Sequence, residues 1–239
     1  MITILSLDTT SHFTSISVSQ GDEIRLEYNF GTRDDLSEIL LSAIDLTLNS
    51  LNPPLKLDDI DCFGVAIGPG LFTGIRIGMA TLKGLIFGMK KPVVPVVTLN
   101  ALAHKLNAPE GPIVSLIDAK RNEVYVAAYR FVNGELSALD SPALVNIEHL
   151  PPHLESVIAP DQPAMFIGSG AKAYQGFLAT HFSGATIHRR SDFLASEICQ
   201  IAYHSYQKKE YITDLQKLLP LYIRKPDAET NYARSVKNA

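Results

Sequence analysis

The sequence predicts an α/β protein built as two related lobes, the second a reduced edition of the first. Three observations lead there. Candidate strands and helices alternate along the chain rather than segregating. An apolar segment ending in aspartate occurs twice, ITILSLD at 2–8 and IVSLID at 113–118. A short strand running into a glycine turn ahead of a helix also occurs twice, FGVAIGPG at 63–70 and MFIGSG at 165–170.

Residues 2–8 read as a buried strand, and residues 14–20 (TSISVSQ) alternate as a half-exposed one does. Gly21-Asp22 turns into a third strand at 23–30. Helical spacing covers 34–50 and ends at Asn52-Pro53-Pro54; the strand at 63–68 then enters a second helix near 73–88, and VVPVV at 93–97 closes the lobe. The turn-rich segment Asn107 to Pro112 separates a first lobe, 1–106, from a second, 107–239, whose last helix is expected to pack back on the first lobe. In the second lobe 123–131 supplies the paired strand, while 141–163 reads as proline-rich and irregular, with no counterpart of the long helix at 34–50.

Composition limits the function. With 239 residues, 46% of them hydrophobic and 19% charged, the chain can bury one sizeable core or two small ones. A net charge of -4 gives no broad positive field for gripping nucleic acid unaided. Cys62 and Cys199 stand far apart with no CxxC neighbour, as expected of two buried thiols in a reducing cytoplasm. No export signal is visible, and the apolar run at 74–89 is interrupted by Arg76 and Lys83, so no membrane association is expected.

Both first-lobe helices carry surplus apolar surface. On a wheel, the aliphatic positions of 34–51 span roughly 220° of the circumference, about twice a core stripe. A partner interface is therefore expected at Leu41, Ile44 and Leu48 of the first helix and Ile75, Met79 and Leu82 of the second. Gly78, Gly84 and Gly88 are expected to let the second helix sit close to a sheet.

Catalytic signatures are scarce. Gly68, Gly70 and Gly74 form GxGxxxG, one residue longer than the dinucleotide pattern and without GK[ST], so Gly68 and Gly70 are weak candidates for holding a cofactor phosphate. Asp8, and likewise Asp118, stands where a strand ends; it is a weak candidate for a metal or water, or else a cap on its own turn. There is no HExxH motif, no GxSxG elbow and no Cys-His pair, so no catalytic residue, metal site or cofactor is assigned.

These motifs carry a family resemblance. LSLDTT at 5–10, GPGLFTGIRIGMATLKGL at 68–85, IDAKRNEVYVAAY at 117–129, the turn at Gly168-Ser169-Gly170-Ala171 and LPLYIR at 219–224 resemble the TsaB (YeaZ) family of glycoprotease-like proteins. The resemblance implies two RNase H-like lobes of the actin, Hsp70 and sugar-kinase type, the second truncated. It also implies a non-catalytic scaffold in the assembly that attaches threonylcarbamoyl to adenosine 37 of tRNA. Its implied partners are the catalytic subunit TsaD, the ATPase TsaE within the complex and a second copy of itself, with tRNA touched only indirectly. Departures are Leu71 for a common serine, Leu36 for a histidine, and Thr98 and Leu102 where TsaD places an H-x-x-x-H metal pair. The alternatives are a glycoprotease-like hydrolase, which lacks a nucleophile or metal constellation here, and a nucleotide-binding ATPase, whose second lobe is shortened.

Overall fold

A computed structural model describes residues 1–31, 35–107, 111–159 and 162–224. Residues 108–110 of the expected inter-lobe turn, and residue 34 at the start of the expected helix, lie outside them.

The first sheet contains β1 (Thr3–Asp8), β2 (Phe13–Gln20), β3 (Glu23–Gly31), β4 (Cys62–Gly68) and β5 (Val93–Val97) in the order β3-β2-β1-β4-β5. Its hairpins β1-β2 and β2-β3 are antiparallel, and β1-β4-β5 run parallel. The parallel steps are made by α1 (Leu36–Asn49) and α2 (Phe72–Leu85), as a crossover requires. A third helix, α3 (Thr98–His104), follows β5 directly.

The second sheet repeats the plan with β6 (Ile113–Asp118), β7 (Glu123–Val132), β8 (Glu135–Ala138), β9 (Ala143–Asn146), β10 (Met165–Ile167) and β11 (Thr186–His188). Its order is β11-β10-β6-β7-β8, with β9 also paired to β7. β6-β7 is antiparallel and β6-β10-β11 parallel, so β8 and β9 together stand where β3 stands in the first sheet. The reduction lies in element length, not strand order. Where α1 has fourteen residues, the second lobe has α4 (Leu150–Leu154), and α2 is matched by α5 (Ser169–Ala173) and α6 (Gln175–His181). Residues 143–154 are thus ordered where irregular chain was expected; Pro151 and Pro152 occupy the first turn of α4, where a missing N–H costs no helical bond. In the opposite direction, α2 stops at Leu85, short of the expected 88, with Gly88 at φ +81° beyond it.

Three apolar layers hold the molecule together. α1 and α2 cover the outer face of the first sheet through Leu5, Leu7, Phe63 and Val65, and α4 to α6 cover the outer face of the second through Val114, Leu116, Val126 and Phe166. The middle layer is shared: Ile4, Cys62 and Val94 of the first sheet join Ile113, Ala127 and Tyr129 of the second around α3 and the last helix, α7 (Ala195–Gln207). α7, from the second half of the chain, packs on the first sheet, where Ile198 closes so tightly on Gly64 that a Cβ there would sit 2.8 Å from Ile198 Cγ2.

The serines of β2 correct the sequence reading. Their alternation suggests a half-exposed strand, yet Ser15, Ser17 and Ser19 are buried under α7. Ser15 Oγ accepts from the backbone N–H groups of Leu194 and Ala195 at 3.1 and 3.0 Å, capping α7 from the other lobe. Ser17 Oγ donates to Leu26 O at 3.1 Å, and on the same face Ser6 Oγ donates to Ala195 O at 2.5 Å. Small hydroxyls thus serve a close helix-sheet contact that water would otherwise fill.

Candidate functional site

Two surfaces bear on function, a cleft between the lobes and the exposed side of α1 and α2. The cleft begins at the glycine loop. Leu71 N donates to Thr10 O at 2.7 Å and Thr9 Oγ1 donates to Gly74 O at 2.8 Å, tying the loop and the start of α2 to the turn after β1. A Cβ on Gly70 would overlap Thr10 O, one on Gly74 would overlap Thr9 O, and one on Gly78 would overlap Thr9 Oγ1. Gly74 and Gly78, four apart, lie on one face of α2, Gly70 stands just before the helix, and LSLDTT is the surface all three close upon. Gly84 and Gly88 meet nothing within 4 Å, so of the three glycines expected to permit close packing only Gly78 does so. Gly68, at φ +109°, turns the chain out of β4. The loop packs on Thr9 and Thr10 and has spent one N–H, Leu71 N, on Thr10 O, while Gly70 also borders the inter-lobe cavity.

The second lobe repeats the device. Gly168 has φ +105°, its Cβ would overlap Leu116 O, and one on Gly170 would lie 2.9 Å from Leu116 Cβ. The two strand-end aspartates behave alike. Asp8 Oδ1 accepts from Thr10 N at 2.9 Å and Thr10 Oγ1 at 2.7 Å; Asp118 Oδ1 accepts from Lys120 N at 2.8 Å, while its Oδ2 pairs with Lys120 Nζ at 2.7 Å. Each bonds the backbone two residues on, as an aspartate capping its own turn does. Asp8 differs in being fully buried, and desolvation outweighs its bonds from Thr10 and raises its carboxyl to about 6.

Between these turns lies a cleft of about 700 Å³. Residues 221–224 line one side of it. Leu221 N donates to Ile67 O at 2.8 Å; Tyr222 stacks on Phe72 with ring centroids 4.9 Å apart, and its hydroxyl accepts from Arg76 Nε at 2.8 Å. Arg224 donates to Ala119 O at 2.8 Å and pairs with Glu123, which fastens the strap to the second lobe. The LPLYIR motif is therefore an inter-lobe tie, a role its sequence does not announce.

Among the described residues, no three His, Cys, Asp or Glu side chains converge to hold a metal. Thr98 and Leu102 are buried at the start and middle of α3. One H-x-x-x-H spacing does occur, His149 and His153, but His149 is exposed and His153 Nε2 lies 3.3 Å from Asp140 Oδ2. Both cysteines are buried and free, and desolvation drives the Cys62 thiol up to about 12.

The helical face requires a larger correction. Ile44 and Leu48 are 4% and 6% exposed, and Ile75, Met79 and Leu82 are 1%, 4% and 2% exposed, all within the outer core of the first lobe. They cannot face a partner while the lobe is folded. The apolar side chains that do reach the surface of α1 are Leu41 and Leu46, 51% and 50% exposed, at opposite edges of its buried stripe. At the two ends of α2 stand Leu71, Phe72 and Phe87, of which Phe87 is 84% exposed. Hydrophobic spacing identified the helices as over-apolar, and of the three α1 positions expected to face a partner Leu41 does reach the surface; Ile44 and Leu48 do not, because α1 is covered by both α2 and the sheet.

With this geometry in hand, comparison with known proteins is direct. A family model described as TsaD, tRNA N6-adenosine threonylcarbamoyltransferase, matches residues 32–232. The tRNA threonylcarbamoyladenosine biosynthesis protein TsaB of Bacillus subtilis is 27% identical over 99% of this chain and all of its own length. Among solved structures, YeaZ from Pseudomonas aeruginosa superposes with a TM-score of 0.78 at 24% identity, covering 93% of this chain and 100% of YeaZ. A polyphosphate/ATP-glucomannokinase from Arthrobacter reaches a TM-score of 0.51 at 12% identity over 87% of this chain and 100% of its own, which extends the likeness to the sugar-kinase fold.

Proposed function

Because this chain belongs to the tRNA N6-adenosine threonylcarbamoyltransferase (TsaD) family, and within it to the TsaB group, we propose that it is the non-catalytic scaffold subunit for threonylcarbamoyl transfer to adenosine 37 of tRNA. It acts by binding a TsaD subunit through the exposed side of α1 and α2. The observation that carries this reading is the end-to-end likeness to TsaB proteins, since 99% of the chain and 100% of the Bacillus subtilis protein align.

The site chemistry supports the same reading. Asp8 and Asp118 each cap their own turn through one oxygen, the glycine loop packs on Thr9 and Thr10, and Thr98 and Leu102 offer no imidazole where the family resemblance places metal ligands. Leu41, Leu46 and Phe87 supply apolar surface that the chain itself leaves uncovered. A net charge of -4 opposes close contact with a polyanion, so the tRNA is held by another subunit. TsaE joins through the TsaD complex, and a second copy of this chain competes for the same helical face.

Reconstitution tests the proposal. Purified chain alone, supplied with threonylcarbamoyl-adenylate and tRNA, is expected to form no modified nucleoside, and adding TsaD and TsaE is expected to restore it. Transfer by this chain alone, or full transfer by TsaD and TsaE without it, would overturn the assignment.

A further inference from the structure

Among the described residues, the charged groups lining the inter-lobe cleft are matched except at Asp8. Lys120 is held by Asp118, Arg224 by Glu123, and Asp192 by Lys172, and Arg121 is likewise engaged. Among the described residues, Asp8 Oδ2 and Thr98 Oγ1 have no hydrogen-bond partner, although their residues are only 0% and 3% exposed and both line the cleft. A buried carboxylate oxygen and a buried hydroxyl without partners are costly, so the two in one cavity point to a group that completes them. The cavity, about 700 Å³, has the size that accommodates a small organic molecule, and much of its wall is apolar, including Ile75, Leu102, Leu194 and Leu221.

The geometry also selects the sign of the ligand. The cations that line the cleft, Lys120, Arg121 and Arg224, are already engaged, the glycine loop beside it has spent Leu71 N on Thr10 O, and the buried Asp8 carboxylate repels an anion. We propose that the cleft is a binding site for a small amine with an apolar body, whose N–H groups donate to Asp8 Oδ2 and Thr98 Oγ1 while its body lies against Ile75, Leu102 and Leu221. A charge-assisted bond in a desolvated cavity accounts for keeping an aspartate there, where burial otherwise lifts its carboxyl to about 6. The site is separate from the helical face and does not depend on the partner-binding reading.

The test titrates benzylamine into the full chain at about pH 7.5, followed by amide NMR, with benzyl alcohol as the uncharged counterpart and ATP as the anionic one. The expected result is saturable shifts at Ile75, Leu102 and Leu221, with benzylamine at least tenfold tighter than benzyl alcohol. Asp8→Asn should lose at least tenfold in benzylamine affinity with an unaltered circular dichroism spectrum. Should that variant fail to fold, Thr98→Val replaces it, with a severalfold loss expected. Equal affinity for the two benzyl probes, undiminished binding in the folded variant, or tighter binding of ATP at the same residues would overturn the proposal.

Discussion

Replacing Leu41 and Ile44 by glutamate, one at a time, separates partner surface from core. The two residues lie three apart on α1, yet Leu41 is 51% exposed and Ile44 only 4%. Fully burying an aliphatic side chain contributes roughly 1.5 to 3 kcal/mol, and an unpaired carboxylate left in its place adds a desolvation cost of at least about 2 kcal/mol. Ile44→Glu is therefore expected to remove about 4 kcal/mol or more, a large part of the roughly 5 to 15 kcal/mol that holds a domain folded. Leu41→Glu exchanges a half-exposed side chain and should change stability by no more than about 0.5 kcal/mol. If that side chain anchors a partner, its affinity for TsaD should nevertheless fall about tenfold, the equivalent of 1.4 kcal/mol. Urea titration measures the first quantity, and calorimetric titration with TsaD the second. A normal unfolding midpoint for Ile44→Glu would refute the core placement, and undiminished TsaD affinity in Leu41→Glu would refute the interface.

Three further outcomes are expected. Gly74→Ala forces a Cβ onto Thr9 O and should cost at least the roughly 1 to 3 kcal/mol of an overpacked site, whereas Gly84→Ala, in open space on the same helix, should gain about 0.5 to 1 kcal/mol; paired urea titrations check both signs. Asp8 keeps its proton up to about pH 6 when folded but releases it near 3.8 when unfolded, so its ionisation opposes folding and its own contribution to stability should fall as pH rises through that window. Asp8→Asn removes this slope, and its stability relative to wild type should rise by on the order of 3 kcal/mol between pH 3.5 and pH 7; a pH-independent difference would refute the burial argument. Cys62 and Cys199, buried and with raised thiols, should react with a disulfide reagent at least a hundredfold more slowly in native than in urea-unfolded protein, which an absorbance time course reads.

Local chemistry made most of the strands legible. β1 and β6 could be read because a central strand must be apolar on both faces, and the turns because an aspartate or glycine has a backbone reason to stand there. What remained hidden was set by distant partners. The serines of β2 alternate as a solvent face does, and only α7, about 180 residues away in the chain, turns that face inward. β9 and α4 were obscured by prolines that fit a first helical turn once β7 supplies a neighbour. At the candidate site, the capping role of Asp8 was among the readings the sequence left open, but its burial and its unpartnered oxygen depend on the whole cleft. Periodicity told which helices carry excess apolar surface; it could not tell which edge α2 would cover, and so Ile44 and Leu41 were read alike.

The repeated 3-2-1-4-5 strand plan invites comparison with folds whose lobes close around a ligand, but the middle layer argues for a different mechanical design. α3 belongs by sequence to the first lobe and packs on β6 and β7, while α7 belongs to the second and packs on β1, β2 and β4. Each lobe thus lends its last helix to the shared core, and Lys105, just after α3, reaches Glu197 of α7 at 3.1 Å. Opening the lobes would expose Ile4, Val94, Ile113, Ala127 and Ile198 to water, which opposes any such motion. The strap at Leu221 and Arg224 closes the remaining side. A chain that keeps the strand order of the fold while sharing one core between its two halves presents a fixed outer surface. Its outer helices can then vary in exposed side chains such as Leu41 and Phe87 without disturbing the core beneath them.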